Sequence, residues 1–162
     1  MRIHGACACE RGSSSYTSLQ DLLNAGLKPV QVQDSERPRT LFLFGHDPMI
    51  ASGHGTFAHE LMERAGAQNA ISEQKGAYPK IDMEFVLKLN PEVIIDATMV
   101  PGGEADLAKF WAPYEDLLAQ KNGKIIHISD PAFLRPGPRL PDALSRLKAM
   151  YGHADEQAKE GQ

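Results

Sequence analysis

Three short apolar runs, each followed by a loop rich in glycine or proline, constrain the fold more than any other feature of the sequence. They occupy residues 41–44, 93–95 and 125–128. Runs of this length and composition are typical of parallel strands that are buried on both faces. Apolar residues at helical spacing lie between the runs and after the third. Because strand and helix alternate, the sequence predicts an α/β fold: a three-layer Rossmann-like lobe whose small, mainly parallel sheet is flanked by helices.

The chain divides into three parts. Its 162 residues fit one domain of ordinary size. Residues 1–38 are interpreted as a short, partly flexible amino-terminal remnant with a short helix at 18–26 and an edge strand at 30–33. Residues 39–152 form the predicted lobe, and residues 153–162 are a polar tail.

Charge and hydropathy exclude several classes of partner. The formal net charge of -4 provides no basic face for a phosphate backbone, so no nucleic-acid partner is expected. No apolar run approaches the roughly 20 residues that a membrane span requires. Because no apolar stretch follows the first residues, they do not resemble a secretory signal, and the chain is expected to be cytoplasmic if it is the complete product. Cys7 and Cys9, the two cysteines, are interpreted as exposed thiols.

Ligands of open α/β sheets bind at the carboxyl ends of the strands. Here those ends lead into loops at 45–56, 99–103 and 130–139. The segment 52–56, Ser-Gly-His-Gly-Thr, lacks the spacing of known phosphate-binding loops, although it precedes a predicted helix whose N–H groups could receive an anion. The histidines show no metal-site spacing, and a second interpretation gives haem one axial ligand, from His46, His54 or Tyr78.

No catalytic constellation is visible. The chain lacks a nucleophile elbow, and its scattered carboxylates are interpreted as helix caps or solvated charges. These carboxylates are Asp47, Glu60, Glu84, Asp96 and Asp130. The pattern favours a binding protein over an enzyme.

The order of several segments resembles a known family. The segments are 39–45, 47–57, 60–69, 78–79, 83–95 and 136–144, and together they cover about 110 residues. They resemble the carboxy-terminal lobe of the periplasmic binding proteins that deliver cobalamin or iron complexes to ABC importers, in which one long helix joins two lobes. In such a protein about 38 residues would not suffice for an amino-terminal lobe, so that lobe is expected to be largely missing.

The resemblance implies a ligand and a set of ligand-binding residues. The implied ligand is cobalamin, or alternatively haem or a ferric siderophore, and no resident cofactor is expected. The implied cleft residues are Phe44, Ile50, Tyr78, Phe133 and Arg139. Aromatic and apolar side chains suit a large flat macrocycle, and an arginine suits an amide or a carboxylate at its edge.

The resemblance also implies a protein partner and a location. Glu84 corresponds to a glutamate that docks on an arginine pocket of the importer's permease, and the family is periplasmic. Two other hypotheses remain: a small cytosolic α/β enzyme or nucleotide-binding protein that uses residues 52–56, and a remnant that folds but binds nothing.

Overall fold

A computed structural model describes residues 30–71, 75–130, 133–134 and 139–152. Its described part contains five strands and five α-helices, preceded by a short 3-10 helix at Asp34–Glu36. The strands are β1 (Arg39–His46), β2 (Met49–Ala51), β3 (Gln68–Asn69), β4 (Val93–Asp96) and β5 (Ile125–His127). The helices are α1 (Phe57–Arg64), α2 (Met83–Leu89), α3 (Glu104–Trp111), α4 (Leu118–Lys121) and α5 (Leu140–Tyr151).

The three apolar runs form the parallel centre of the sheet. β1 pairs with β4, and β4 pairs with β5, both in parallel. On the other side of β1, the parallel β3 lies beside its beginning and the antiparallel β2 beside its end. The predicted fold, a mainly parallel sheet flanked by helices, is confirmed.

Two apolar clusters cover the two faces of the sheet. Phe42 and Ile95 belong to the first cluster, with residues of α1 and α5. Leu41, Leu43 and Ile94 belong to the second, with residues of α2, α3 and α4. Because successive side chains of a strand point to opposite faces, the uninterrupted apolar runs of β1 and β4 supply both clusters.

Helix boundaries follow local sequence signals. Asp82 precedes α2, and its Oδ1 accepts a hydrogen bond from the N–H of Phe85 at 2.7 Å. Asn90 ends the same helix in the left-handed conformation, with φ of 43°, and Pro91 follows. These are the start and the end predicted from the sequence.

The predicted edge strand at 30–33 is wrong. No strand is present there, and the N–H of Val30 instead donates to the carbonyl of Arg64 at the end of α1, at 3.1 Å. The edge beside the start of β1 is occupied by β3, which was predicted at 69–71. The predicted helix at 18–26, Cys7, Cys9 and the tail at 153–162 lie outside the described residues.

The described helices are short. None of them has both the length and the apolar character needed to cross a membrane.

Candidate functional site

A β-bulge at the end of β1 determines which side chains face which side of the sheet. Leu43 pairs with Ala51 of β2, whereas Gly45 pairs with Ile50, so Phe44 is the extra residue. A bulge of this kind reverses the alternation of side chains beyond it. His46 therefore lies on the face of Leu43, while Phe44 packs against the first cluster.

Phe44 and Tyr78 form an aromatic pair at this carboxyl edge. Their ring centroids lie 5.7 Å apart, and the Phe44 ring also lies 5.0 Å from that of Phe42. Phe44 is half-buried, whereas Tyr78 is 62% exposed. The pair thus presents an aromatic surface to solvent, supported from below by the core.

The segment that carries Tyr78 is held by backbone hydrogen bonds. The N–H groups of Ala51 and Gly53 donate to the carbonyls of Pro79 and Ala77, at 3.0 and 2.7 Å, and that of Ile81 donates to Met49 at 3.0 Å. A Cβ atom at Gly53 would overlap the carbonyl oxygen of Gly76. The close approach of these two segments therefore requires glycine at position 53.

The other three predicted ligand residues differ in exposure. Ile50 is half-buried and forms a single antiparallel bridge with Lys80, two residues after Tyr78. Arg139 is exposed at the start of α5. Phe133 is fully buried in the first cluster, so contact with a ligand would require its ring to leave the core.

The hydroxyl groups of the loop 52–56 serve the start of α1. Thr56 is the N-cap residue, and its Oγ1 accepts from the N–H of His59 at 3.1 Å. The hydroxyls of Ser52 and Thr56 also bond to each other, at 2.5 Å. These hydrogen bonds stabilise the start of α1, and they explain the two hydroxyls without a bound phosphate.

Asp96 is the centre of a buried polar network on the second face. It is fully buried, and its Oδ2 accepts hydrogen bonds from Trp111 Nε1 at 2.9 Å and from His46 Nε2 at 2.7 Å. Its Oδ1 accepts from the N–H of Thr98 at 3.0 Å. The His46 ring also stacks on Phe110, with 3.8 Å between centroids.

The sequence-based interpretation of Asp96 as a cap or a solvated charge is therefore wrong. A carboxylate is buried only where donors replace its lost hydration, and three donors do so here. Two of them are 50 and 15 residues away in the chain, so no local pattern could have indicated the network.

The His54 and His59 side chains lie closer together than their spacing in the sequence suggested. The His54 and His59 rings are 4.5 Å apart, and Asn69 Nδ2 bonds to His59 Nδ1 at 3.1 Å. Asn69 also donates to the carbonyl of Ser52 at 3.0 Å, which fixes the loop. Within the described ranges no group of three or more histidine, cysteine or acidic side chains could hold a metal ion.

A cavity of about 420 Å³ lies on the second face beside β5, away from the predicted ligand residues. Its walls are Asp96, Glu104, Leu107, Ala108, Trp111, Gln120, Gly123, Ile125 and His127. None of the predicted ligand residues lines this cavity.

Glu84, the predicted docking residue, is exposed in the first turn of α2. Its Oε1 lies 3.1 Å from Lys88 Nζ, and both side chains are more than 70% exposed. A solvated pair of this kind contributes little to stability, so Glu84 is available to another cation.

The mainly parallel sheet and the helices on both of its faces define the class of the protein as an α/β Rossmann-like lobe. A protein-family model described as "Periplasmic binding protein" matches residues 19–132. The chain belongs to this family.

Relatives and solved structures agree with that assignment. A vitamin B12-binding protein of Salmonella paratyphi A is 28% identical over 130 residues, which cover 79% of this chain and 46% of that protein. The crystal structure of the periplasmic vitamin B12 binding protein of Vibrio cholerae has a TM-score of 0.61 at 25% identity, covering 86% of this chain and 51% of the other.

A haem-binding protein is also similar. The crystal structure of a periplasmic heme binding protein from Pseudomonas aeruginosa has a TM-score of 0.63 at 28% identity, covering 74% of this chain and 44% of that one. The chain spans about half the length of the relatives it matches. The resemblance inferred from the sequence is confirmed at the level of the family and the fold.

Proposed function

We propose that this chain is a solute-binding component of an ABC importer, or a lobe of one, and that its ligand is cobalamin. The observation that carries the proposal is the exposed Tyr78 ring, which packs at a tilt against the Phe44 ring at the carboxyl edge of the sheet. The similarity to vitamin B12-binding proteins supports this choice of ligand. We propose the periplasm, where the family acts, as the location of this chain as well.

The contacts of a macrocycle follow from the geometry of this edge. When a flat corrin ring lies against Tyr78 and Phe44, apolar surface of the ring and of both side chains is removed from water. Ile50 extends this apolar area. Arg139, exposed at the start of α5, meets an amide or a carboxylate of the ligand. Phe133 belongs to the buried cluster against which Phe44 packs.

Haem or a ferric siderophore is the second candidate ligand. The similarity to a periplasmic heme binding protein at 28% identity favours it. Tyr78 and His54 are both exposed, and a tyrosine oxygen or a histidine nitrogen can serve as an axial ligand of haem iron.

A titration of the purified protein tests the ligand. Cyanocobalamin, haemin and ATP are added separately, and absorbance and heat are recorded. We expect saturable binding of a macrocycle that Tyr78→Ala weakens by about tenfold or more, because an exposed aromatic side chain that becomes buried contributes about 1.5–3 kcal/mol.

The matched control is Leu118→Ala, which removes a partly exposed apolar side chain on α4 and should leave the affinity unchanged. Binding of ATP alone would contradict the proposal and favour the nucleotide-binding alternative. If neither macrocycle nor ATP bound, the chain would fit the third hypothesis, a folded lobe without a ligand.

Docking through Glu84 is tested separately from ligand binding. Glu84→Gln keeps the shape of the side chain and removes its charge, so it should weaken binding to the permease in proteoliposomes by about tenfold, because a charge-assisted pair with an arginine is lost. Its affinity for the macrocycle should not change.

Glu115→Gln, which removes a charge from the exposed segment after α3, is the control. If both variants weakened docking equally, net charge and not a specific pair would explain the effect.

A further inference from the structure

The loop that follows β4 contains a second exposed apolar side chain at the carboxyl edge. Met99 is 78% exposed, more than any other large hydrophobic residue in the described part of the chain. Exposing a flexible apolar side chain of this size gives no benefit to the isolated lobe, whereas methionine adapts well to irregular apolar surfaces of a ligand.

The residue before it carries an unsatisfied hydroxyl. Thr98 is 9% exposed, and its buried Oγ1 has no hydrogen-bond partner among the residues that the structure describes. A buried hydroxyl without a partner costs free energy, so such groups are rare outside sites where a ligand or a water supplies the partner.

The stem of this loop is fixed in position beside β1. The N–H of Thr98 donates to the buried Asp96 carboxylate, and the N–H of Ala97 donates to the carbonyl of Leu43 at 2.9 Å. Leu43 is the neighbour of Phe44, so Thr98 and Met99 follow a strand that lies one strand spacing, about 4.8 Å, from the one that carries the aromatic pair.

We infer that Thr98 and Met99 form the second contact of the macrocyclic ligand, on the β4 side of the edge. The inference rests on the proposed function. Met99 lies against the apolar face of the ring, and the Thr98 hydroxyl exchanges a hydrogen bond with one of the polar groups at its periphery. The buried network of Asp96 keeps this contact in place without touching the ligand.

Methyl NMR tests the inference directly. The protein is labelled with ¹³C at the methionine methyl groups, and its six methionines give separate signals, of which the Met99→Leu variant identifies one. Haemin, whose iron is paramagnetic, should broaden the Met99 signal, and cyanocobalamin should shift it. Met150, half-buried in α5, is the internal control and should not respond.

Two substitutions measure the contribution of each side chain by the same titration. Met99→Ala should weaken macrocycle binding about tenfold, from the loss of a buried apolar side chain. Thr98→Val should weaken it about fivefold, and Thr98→Ser should restore it. Because the hydroxyl has no partner in the described lobe, Thr98→Val should not lower the urea midpoint, which separates a ligand contact from a structural role.

The possible failures are distinct. If the wild-type protein binds a macrocycle while the Met99 signal and the affinities of these variants stay unchanged, this inference is overturned and the proposed function stands. If the wild-type protein binds neither macrocycle, the proposed function fails and this inference fails with it.

Discussion

The two faces of the sheet are built on different physical principles. The face covered by α1 and α5 is a large apolar cluster, and these two helices also bury the side chains of His59, Lys148 and Tyr151. The face covered by α2, α3 and α4 buries the Asp96 carboxylate in a hydrogen-bonded network. The first face depends mainly on packing, whereas the second also depends on the three hydrogen bonds that the buried Asp96 carboxylate accepts.

β1 contributes to both faces, and its bulge divides the contributions. Phe44 rests on the apolar face and supports Tyr78, while His46 reaches the network on the opposite face. The candidate ligand surface therefore rests on the first face of the sheet. The loop after β4 is held by Asp96 on the second face. This arrangement places a rigid support beneath exposed side chains, which is what a binding surface requires.

Removing the Asp96 carboxylate should have the largest effect on stability. Asp96→Ala leaves the N–H groups of Trp111 and Thr98 and the His46 ring without their buried acceptor, so the free energy of unfolding should fall by about 3–5 kcal/mol. Urea unfolding followed by fluorescence measures it, because Trp111 is the one tryptophan of the chain.

The control for that variant is Asp116→Ala, which removes a fully exposed carboxylate. Its urea midpoint should not change. A midpoint for Asp96→Ala that matched the control would show that the second face is held by apolar packing alone.

Gly53→Ala should affect the other side of β1. The added Cβ overlaps the carbonyl oxygen of Gly76, so the two segments must separate, at a cost of about 1–3 kcal/mol in the free energy of unfolding. Because the segment after Gly76 carries Tyr78, macrocycle binding should weaken as well.

Gly45→Ala is the matched control, since its Cβ would meet the Pro48 carbonyl oxygen at 3.4 Å, an ordinary contact. Equal losses of stability in both variants would count against the crossing of the two segments as the reason for glycine at position 53.

The sequence predicted the fold better than the site because the two depend on different ranges of interaction. The apolar runs indicated β1, β4 and β5, and Asp82 and Asn90 indicated the ends of α2, since strand burial and helix caps are local signals. β2 was missed because three residues after Asp47 and Pro48 resemble a loop. The Asp96 network was missed because its partners come from distant parts of the chain.

The candidate ligand residues came from the resemblance to a family and not from any pattern in the residues themselves. The structure places Phe44 and Tyr78 in contact, leaves Arg139 exposed and buries Phe133. Met99 was missed because exposure is a property of the folded loop. Neither residue type nor spacing in the sequence indicates how exposed the side chain of this methionine is.

The smallest expected effect on the free energy of unfolding comes from Tyr151, which lies in the cluster covered by α1 and α5. Burial raises the pKa of the Tyr151 hydroxyl above its ordinary value of 10.0. Above pH 10 the unfolded chain therefore releases a proton that the folded protein keeps, so the stability that this group contributes is complete below pH 10 and is lost as pH rises.

Between pH 10 and pH 11 the free energy of unfolding should fall by about 1 kcal/mol more in the wild type than in Tyr151→Phe. Urea unfolding of both proteins at several pH values from 8 to 11 measures this difference. If the free energies of unfolding of the two proteins changed equally with pH, the Tyr151 hydroxyl would be in contact with water in the folded state. The first face of the sheet would then exclude water less well than the face that buries Asp96.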